Sequence, residues 1–215
     1  MCFIAALPAL AAPAQAAGRS SSTGSTCTTL REPGLVVLNA GCSKPVVIYA
    51  HAAGETTSGL LRMDLLAGLA AEGYSVVASD LCGPLNWGSP CAVSEMHNLV
   101  RRFAPGKRVQ VVAMSMGGAA LINYLAAFPD GISSAVGIVP VSTWETDWLR
   151  RATGATLPPL GSRITIPYRI LAAQADEIVG PPITRGPRVS VKSFPGGHDL
   201  WQRISVADVL KALKK

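Results

Sequence analysis

The sequence predicts a single α/β domain: a mainly parallel sheet with helices on both faces. Three observations predict it. Short β-branched runs that are apolar on both faces recur along the chain, the pattern of strands covered from both sides. Longer segments with helical periodicity separate them, so successive strands are joined by crossovers rather than hairpins. The length, 215 residues, suits one core of ordinary size. No internal repeat interrupts the alternation, and no second domain is expected.

Composition removes several function classes. Hydrophobic residues make up 49% of the chain and charged residues 15%, too apolar for a disordered chain, and no heptad pattern suggests a coiled coil. No apolar run reaches the roughly 18 residues of a spanning helix, so no integral membrane association is expected. Lys and Arg outnumber Asp and Glu by 19 to 13 for a net charge of +6. The basic residues are scattered, with no block of about five or six together, so a nucleic-acid partner is not expected.

Residues 1–17, MCFIAALPALAAPAQAA, carry no charge, and Ala14-Gln15-Ala16 has the small-x-small form of a cleavage site. Residues 1–16 therefore read as a signal peptide, although the usual basic n-region is missing, and a secreted or periplasmic location follows. Residues 17–34 begin polar and small (GRSSSTGSTCTTL over 18–30) and read as a flexible lead-in; residues 35–215 form the domain. Cys27, Cys42, Cys82 and Cys91 remain beyond the leader, an even count suited to disulfides in an oxidising compartment. Four cysteines allow three pairings, and proximity favours Cys27–Cys42 and Cys82–Cys91. None has zinc-site spacing with a histidine, so no metal is expected.

Candidate strands are Leu35–Leu38, Val46–Ala50, Ser75–Ser79, Val109–Ala113, Ala135–Val139, Arg169–Ala173 and Val189–Phe194. Candidate helices span about 57–72, 92–103, 116–128, 143–151 and 198–213. The last places Leu200, Ile204, Ala207, Leu210 and Leu213 on one face, with lysines at the end where the helix dipole favours cations. In such a sheet, ligands bind beyond the carboxyl ends of the strands, so chemistry is sought just after the apolar runs.

Three such places carry it. Val109–Met114 runs into Ser115-Met116-Gly117-Gly118 and then an apolar helix; Ala113 and Gly117 supply the small neighbours that a tight strand-to-helix turn requires. Asp176 follows the run Arg169–Ala173, and His198 follows Val189–Phe194 after a Gly196-Gly197 pair. The order Ser, Asp, His, with separations of 61 and 22 residues, resembles the α/β-hydrolase family, with Ala113 standing where the first elbow glycine is usual. The resemblance covers about residues 45–213.

The resemblance implies a cap-less serine hydrolase that cleaves carboxyl esters through an acyl-enzyme on Ser115, with His198 as base and Asp176 as orienting acid. It implies oxyanion donors at the Met116 N–H and, from the turn His51-Ala52-Ala53-Gly54, at Ala53; Ala52 departs from the usual glycine. It implies no cofactor, a small-molecule ester substrate and a monomer. Only about 28 residues separate Val139 from Arg169, which leaves no room for a cap and predicts an open site. Trp87, Trp144, Trp148 and Trp201 all follow strand ends or the histidine; they form either an apolar substrate wall or ordinary core packing. The loop Asp80–Cys91 is similar to one that many members carry at this point; Asp80 is in principle a rival triad acid, though the resemblance implies a structural role for an acid there. Asp199 reads as a cap or first-turn acid, and His97 as solvated or packing. Thioesterase, peptidase and perhydrolase chemistry share the same triad. The alternative from another class is a non-catalytic secreted binding module on the same fold.

Overall fold

A computed structural model describes residues 27–41, 45–60, 63–142, 164–179, 182 and 186–214. Eight strands form one sheet: β1 (Thr28–Glu32), β2 (Leu35–Ala40), β3 (Val46–Ala50), β4 (Ser75–Ser79), β5 (Val109–Met114), β6 (Ile132–Ile138), β7 (Tyr168–Ala173) and β8 (Val189–Phe194). Their order is β1-β2-β4-β3-β5-β6-β7-β8. β2 runs antiparallel to β1 and β4, and every other pairing is parallel. All seven expected strands form, with ends moved by at most a few residues.

The eighth strand, β1, corrects the reading of 17–34 as a flexible lead-in over residues 28–34; residues 17–26 lie outside the described residues. Residues 28–32 pair with β2 across a tight turn at Pro33-Gly34, where Gly34 takes a φ of +70°. Pro presets the first central position of such a turn, and glycine tolerates the left-handed second one. β1 escapes a periodicity search because it is an edge strand with four of its five residues exposed. The proposed leader, 1–16, lies outside the described residues.

Among the described residues, five helices and one 3₁₀ turn cover the sheet: α1 (Thr57–Leu60), α2 (Asp64–Ala71), α3 (Pro90–Phe103), α4 (Gly117–Ala127), the 3₁₀ turn His198–Gln202, and α5 (Val206–Leu213). Two expected helices are broken. The 57–72 segment divides before Asp64, because Met63 takes an extended backbone (φ −83°, ψ 117°) and Asp64 opens a fresh helix at the end that favours a carboxylate. The 198–213 segment divides at Ser205, whose hydroxyl accepts the Asp208 N–H at 3.1 Å and starts α5 as a capping pair. That restart resets the helical phase: Val209, Leu210, Ala212 and Leu213 are buried, and Ala207 faces solvent. The expected helix at 143–151 lies outside the described residues.

Alternation along the strands builds a core on each face. Ile48 and Ala50 of β3, with Val109, Val111 and Ala113 of β5, pack toward α3 and α4. Val47 and Tyr49, with Val112 and Met114, pack toward α1, α2, Leu200 and α5. Covering both faces is what a parallel sheet requires. From β3 the chain crosses to β4 on one side, and from β5 to β6 on the other. The crevice between the carboxyl ends of β3 and β5 is thus a switch point, where an α/β sheet presents its ligand site.

Cys82 and Cys91 form a disulfide across nine residues, tying the loop after β4 to the first turn of α3. Cys27 is also disulfide-bonded, while Cys42 lies outside the described residues. Replacing Cys82 and Cys91 by Ser should lower stability by about 2–3 kcal/mol, the loop-closure value for so short a bridge. Urea unfolding of the double variant checks this; an unchanged midpoint would remove the bridge from the stability of the domain.

Candidate active site

The site is built at the end of β5. Ser115 has φ +46°, a left-handed backbone that non-glycine residues adopt rarely and at a cost of order 1 kcal/mol or more. Neighbouring bonds hold it there: its N–H donates to the Ile138 carbonyl at 3.0 Å, and its own carbonyl accepts from Gly118 (2.9 Å) and Val141 (2.8 Å). Two residues on, α4 begins against the end of β3. A Cβ on Gly117 would lie 2.1 Å from the Ala50 carbonyl oxygen, so only glycine permits this approach. The Ser115 side chain therefore emerges at the start of α4, where backbone N–H groups and the helix dipole favour negative charge.

Ser115 is 8% exposed, and its Oγ lies 2.9 Å from His198 Nε2. The His198 Nδ1 lies 2.9 Å and 3.1 Å from the two carboxylate oxygens of Asp176. The loops that carry these two residues are joined by their own backbones, because the Gln174 N–H donates to Phe194 O and the Ala175 N–H to Gly196 O, both at 2.9 Å. Leu200, buried in the second core, anchors the 3₁₀ turn that begins at His198.

Asp176 is 5% exposed on its side chain, and its Oδ1 accepts the N–H groups of Ile178 (3.0 Å) and Val179 (3.2 Å). Burial alone would raise its pKa. The hydrogen bond to His198, the two backbone donors and the neighbouring imidazole outweigh burial and hold the carboxyl below its ordinary value. Asp176 is thus a held carboxylate, suited to orienting an imidazole and stabilising it when charged.

The turn after β3 contains a second carboxylate that the sequence reading missed. Glu55 Oε2 accepts the Ala52 N–H at 2.9 Å and the hydroxyl of fully buried Tyr49 at 3.1 Å. Burial pushes Glu55 above the usual carboxylate range, against the lowering pull of Ala52, Tyr49 and His51. Burial and the Glu55 charge push the Tyr49 hydroxyl well above its own ordinary value. His51 is fully buried in the same turn, with Nδ1 2.7 Å from the Ala52 carbonyl and Nε2 3.0 Å from that of Asp80. These bonds occupy Ala52 and leave Ala53 and Met116 as backbone N–H groups without a hydrogen-bond partner among the described residues. The signal for Glu55 was present: an acid four residues past His51, in the turn that follows an apolar strand.

Other expectations sort by geometry. Asp80 accepts the Thr57 N–H at 2.7 Å and has no contact with His198 among the described residues. Asp199 pairs with Arg203 at 3.2 Å. His97 stacks on Phe128, ring centroids 4.0 Å apart, which makes it a packing residue. Trp87 is half-buried and packs on Ala119, Val141 and Val179; Trp201 is exposed. Trp144 and Trp148 lie outside the described residues, as does 143–163, on which the expected open site depends. Among the described residues no His, Cys, Asp and Glu cluster could hold a metal, and no helix is long and apolar enough to cross a membrane.

An eight-stranded, mostly parallel sheet covered on both faces, with a serine in a strand-to-helix elbow, is the α/β-hydrolase fold. Solved structures agree over most of the chain. A serine hydrolase involved in carbazole degradation (the CarC enzyme) aligns with TM-score 0.67 and 13% identity, covering 88% of this chain and 99% of that one. A monoacylglycerol lipase from Paleococcus ferrophilus aligns at 0.60 and 17% identity, covering 86% and 99%. The thioesterase domain of the curacin biosynthetic pathway aligns at 0.60 and 16%, covering 88% and 99%. No protein-family model and no curated protein matches the chain.

The lowered Asp176 pKa sets the sign of an acid effect. Its stabilising contribution is present above the ordinary value of 3.8 and is lost as pH falls through the lower folded value. Glu55, shifted upward, works the other way. The melting-temperature gap between wild type and Asp176→Asn should therefore be full near neutral pH and close below about pH 4; calorimetry across that range checks it. Glu55→Ala leaves the buried Tyr49 hydroxyl only the weak sulfur acceptors of Met63 and Met114 and should cost about 1–3 kcal/mol in urea unfolding, while Glu55→Gln, which keeps an acceptor oxygen, should cost less.

Proposed function

We propose that this protein is a serine hydrolase that cleaves carboxyl esters through an acyl-enzyme on Ser115. The observation that carries the reading is one unbroken line of contacts: Ser115 Oγ to His198 Nε2 at 2.9 Å, and His198 Nδ1 to Asp176 at 2.9 Å. A serine hydroxyl is a poor nucleophile until a base takes its proton, and His198 is within reach to do so. As Ser115 Oγ bonds to the ester carbon, its proton passes to His198 and the carbonyl oxygen becomes an oxyanion. The Met116 and Ala53 N–H groups are the donors assigned to that oxyanion. His198 then returns the proton to the departing alcohol as the ester C–O bond breaks. Water, deprotonated by His198, repeats the sequence on the acyl-enzyme and frees the acid.

The acyl group is read as apolar. Leu85, Ile178 and Trp201, the exposed large hydrophobics among the described residues, follow the carboxyl ends of β4, β7 and β8, the first two in loops and Trp201 in the 3₁₀ turn, at the same end of the sheet as Ser115. A secreted or periplasmic location suits the Cys82–Cys91 bridge.

A fluorophosphonate probe should label the wild-type protein and leave Ser115→Ala unlabelled. A folded wild type that stays unlabelled overturns the reading, and labelling of Ser115→Ala relocates the nucleophile. On p-nitrophenyl esters, Ser115→Ala should lower kcat by about 10⁴-fold or more. His198→Ala should lower kcat on the same esters by a comparable factor, because the base that takes the Ser115 proton is lost. An undiminished rate in His198→Ala would remove His198 from the role of base. Longer acyl chains should raise kcat/KM, and Trp201→Ala should reduce that gain.

A further inference from the structure

At the amino end of β7 and β8, far along the strands from Ser115, a cavity of about 340 Å³ opens between the sheet and α5. Its origin is in the packing. α5 sits over β6 and α2, and so leaves the outer part of the sheet, β7 and the edge strand β8, under-covered on that face. Register places Arg169 beside Ser190 and Leu171 beside Lys192, so these four residues line the sheet side; Asp208, Lys211 and Ala212 of α5 line the other.

The charges there do not balance. Lys192 is committed to Asp208 at 2.7 Å. Arg169 is half-buried and donates one bond, from Nη1 to the Ala212 carbonyl at 2.7 Å. A guanidinium has five N–H donors, and Arg169 has no carboxylate partner among the described residues. Lys211, on the exposed rim, has none either. Three cations thus face one carboxylate across a lining of Leu171, Ala212 and the alkyl stems of the basic residues. Capping α5 does not account for the surplus, since the neighbouring carbonyl of Leu213 is already met by Gln110 and Ser134.

We propose that this cavity binds an amphipathic monocarboxylate, an organic acid with an apolar tail. The carboxylate sits on Arg169 and Lys211, where the planar guanidinium offers paired donors, and the tail lies along Leu171 and Ala212. A volume of this size falls at the lower end of small-molecule sites. The site is separate from Ser115 and does not depend on the catalytic reading.

The probe is octanoate, with octanol and acetate as controls, added to the full chain and followed by amide chemical-shift mapping and calorimetry. Saturable octanoate shifts should cluster at residues 169–171, 190–192 and 208–212, persist in Ser115→Ala, and be absent with octanol and acetate. Lys211→Glu, a change on the exposed rim, should weaken binding at least about tenfold, as should Arg169→Met. Should Arg169→Met fail to fold through loss of its bond to α5, Lys211→Glu alone decides. Shifts confined to residues around Ser115 and His198, octanol binding as well as octanoate, an undiminished affinity in Lys211→Glu, or no saturable shift at all would each overturn the proposal.

Discussion

The contact on which the site depends is the approach of α4 to the end of β3 at Gly117. With no Cβ there, the helix N-terminus can lie against the Ala50 carbonyl, which a methyl group would meet at 2.1 Å. That approach turns the chain sharply enough to leave Ser115 at φ +46° with its side chain outward. Left-handed backbone at a serine costs of order 1–3 kcal/mol, so surrounding structure must impose it. Here the imposing groups are the Ile138 carbonyl before the turn and the Gly118 and Val141 N–H groups after it. β6 matters to the site for this reason, although it contributes no candidate catalytic side chain.

Two carboxylates lie in the loops after β7 and β3, and their surroundings shift them in opposite directions. Asp176 accepts two backbone N–H groups and faces an imidazole; Glu55 accepts one backbone N–H and a neutral phenol in a more apolar place. Both are desolvated, so the number and charge of their partners decide the sign. The first arrangement keeps a negative charge beside His198. The second gives the turn after β3 an internal brace that ties Ala52 to Tyr49 of the strand itself. A brace of this kind compensates for Ala52, which has less backbone freedom than the glycine usual in the fold, and leaves the next N–H, that of Ala53, unbonded.

The strands and the three site positions were legible because each depends on local pattern. β-branched runs mark a doubly covered sheet, and the order Ser115, Asp176, His198 falls after three of those runs. What escaped depended on partners distant in sequence or on a local restart. β1 has no apolar face of its own and is a strand only because β2 lies beside it. The final helix shows continuous periodicity on paper, but Ser205 and Asp208 cap each other and begin a new helix. Glu55 escaped because its partner, the Tyr49 hydroxyl six residues back, is turned into the core by the fold and not marked by local pattern. Periodicity reports which face is buried; it does not report which polar atoms end up there.

The break before α5 links the two ends of the sheet. A single helix over 198–213 would carry His198 as the first residue of a rigid rod, with its position set by how the whole rod packs. Instead Leu200 seats the short 3₁₀ turn in the second core, and the β7 and β8 loops are joined by Gln174–Phe194 and Ala175–Gly196 bonds. His198 is thereby held from the sheet side, together with Asp176. α5, starting afresh at Ser205, is free to be anchored at its far end, where Gln110, Ser134 and Arg169 meet its last carbonyls. Its tilt over the sheet answers to those three side chains and to its packing on β6, not to the geometry of the histidine. Exposed charge at the amino end can therefore vary, and the space beneath α5 can exist, without disturbing distances of 2.9 Å at the carboxyl end.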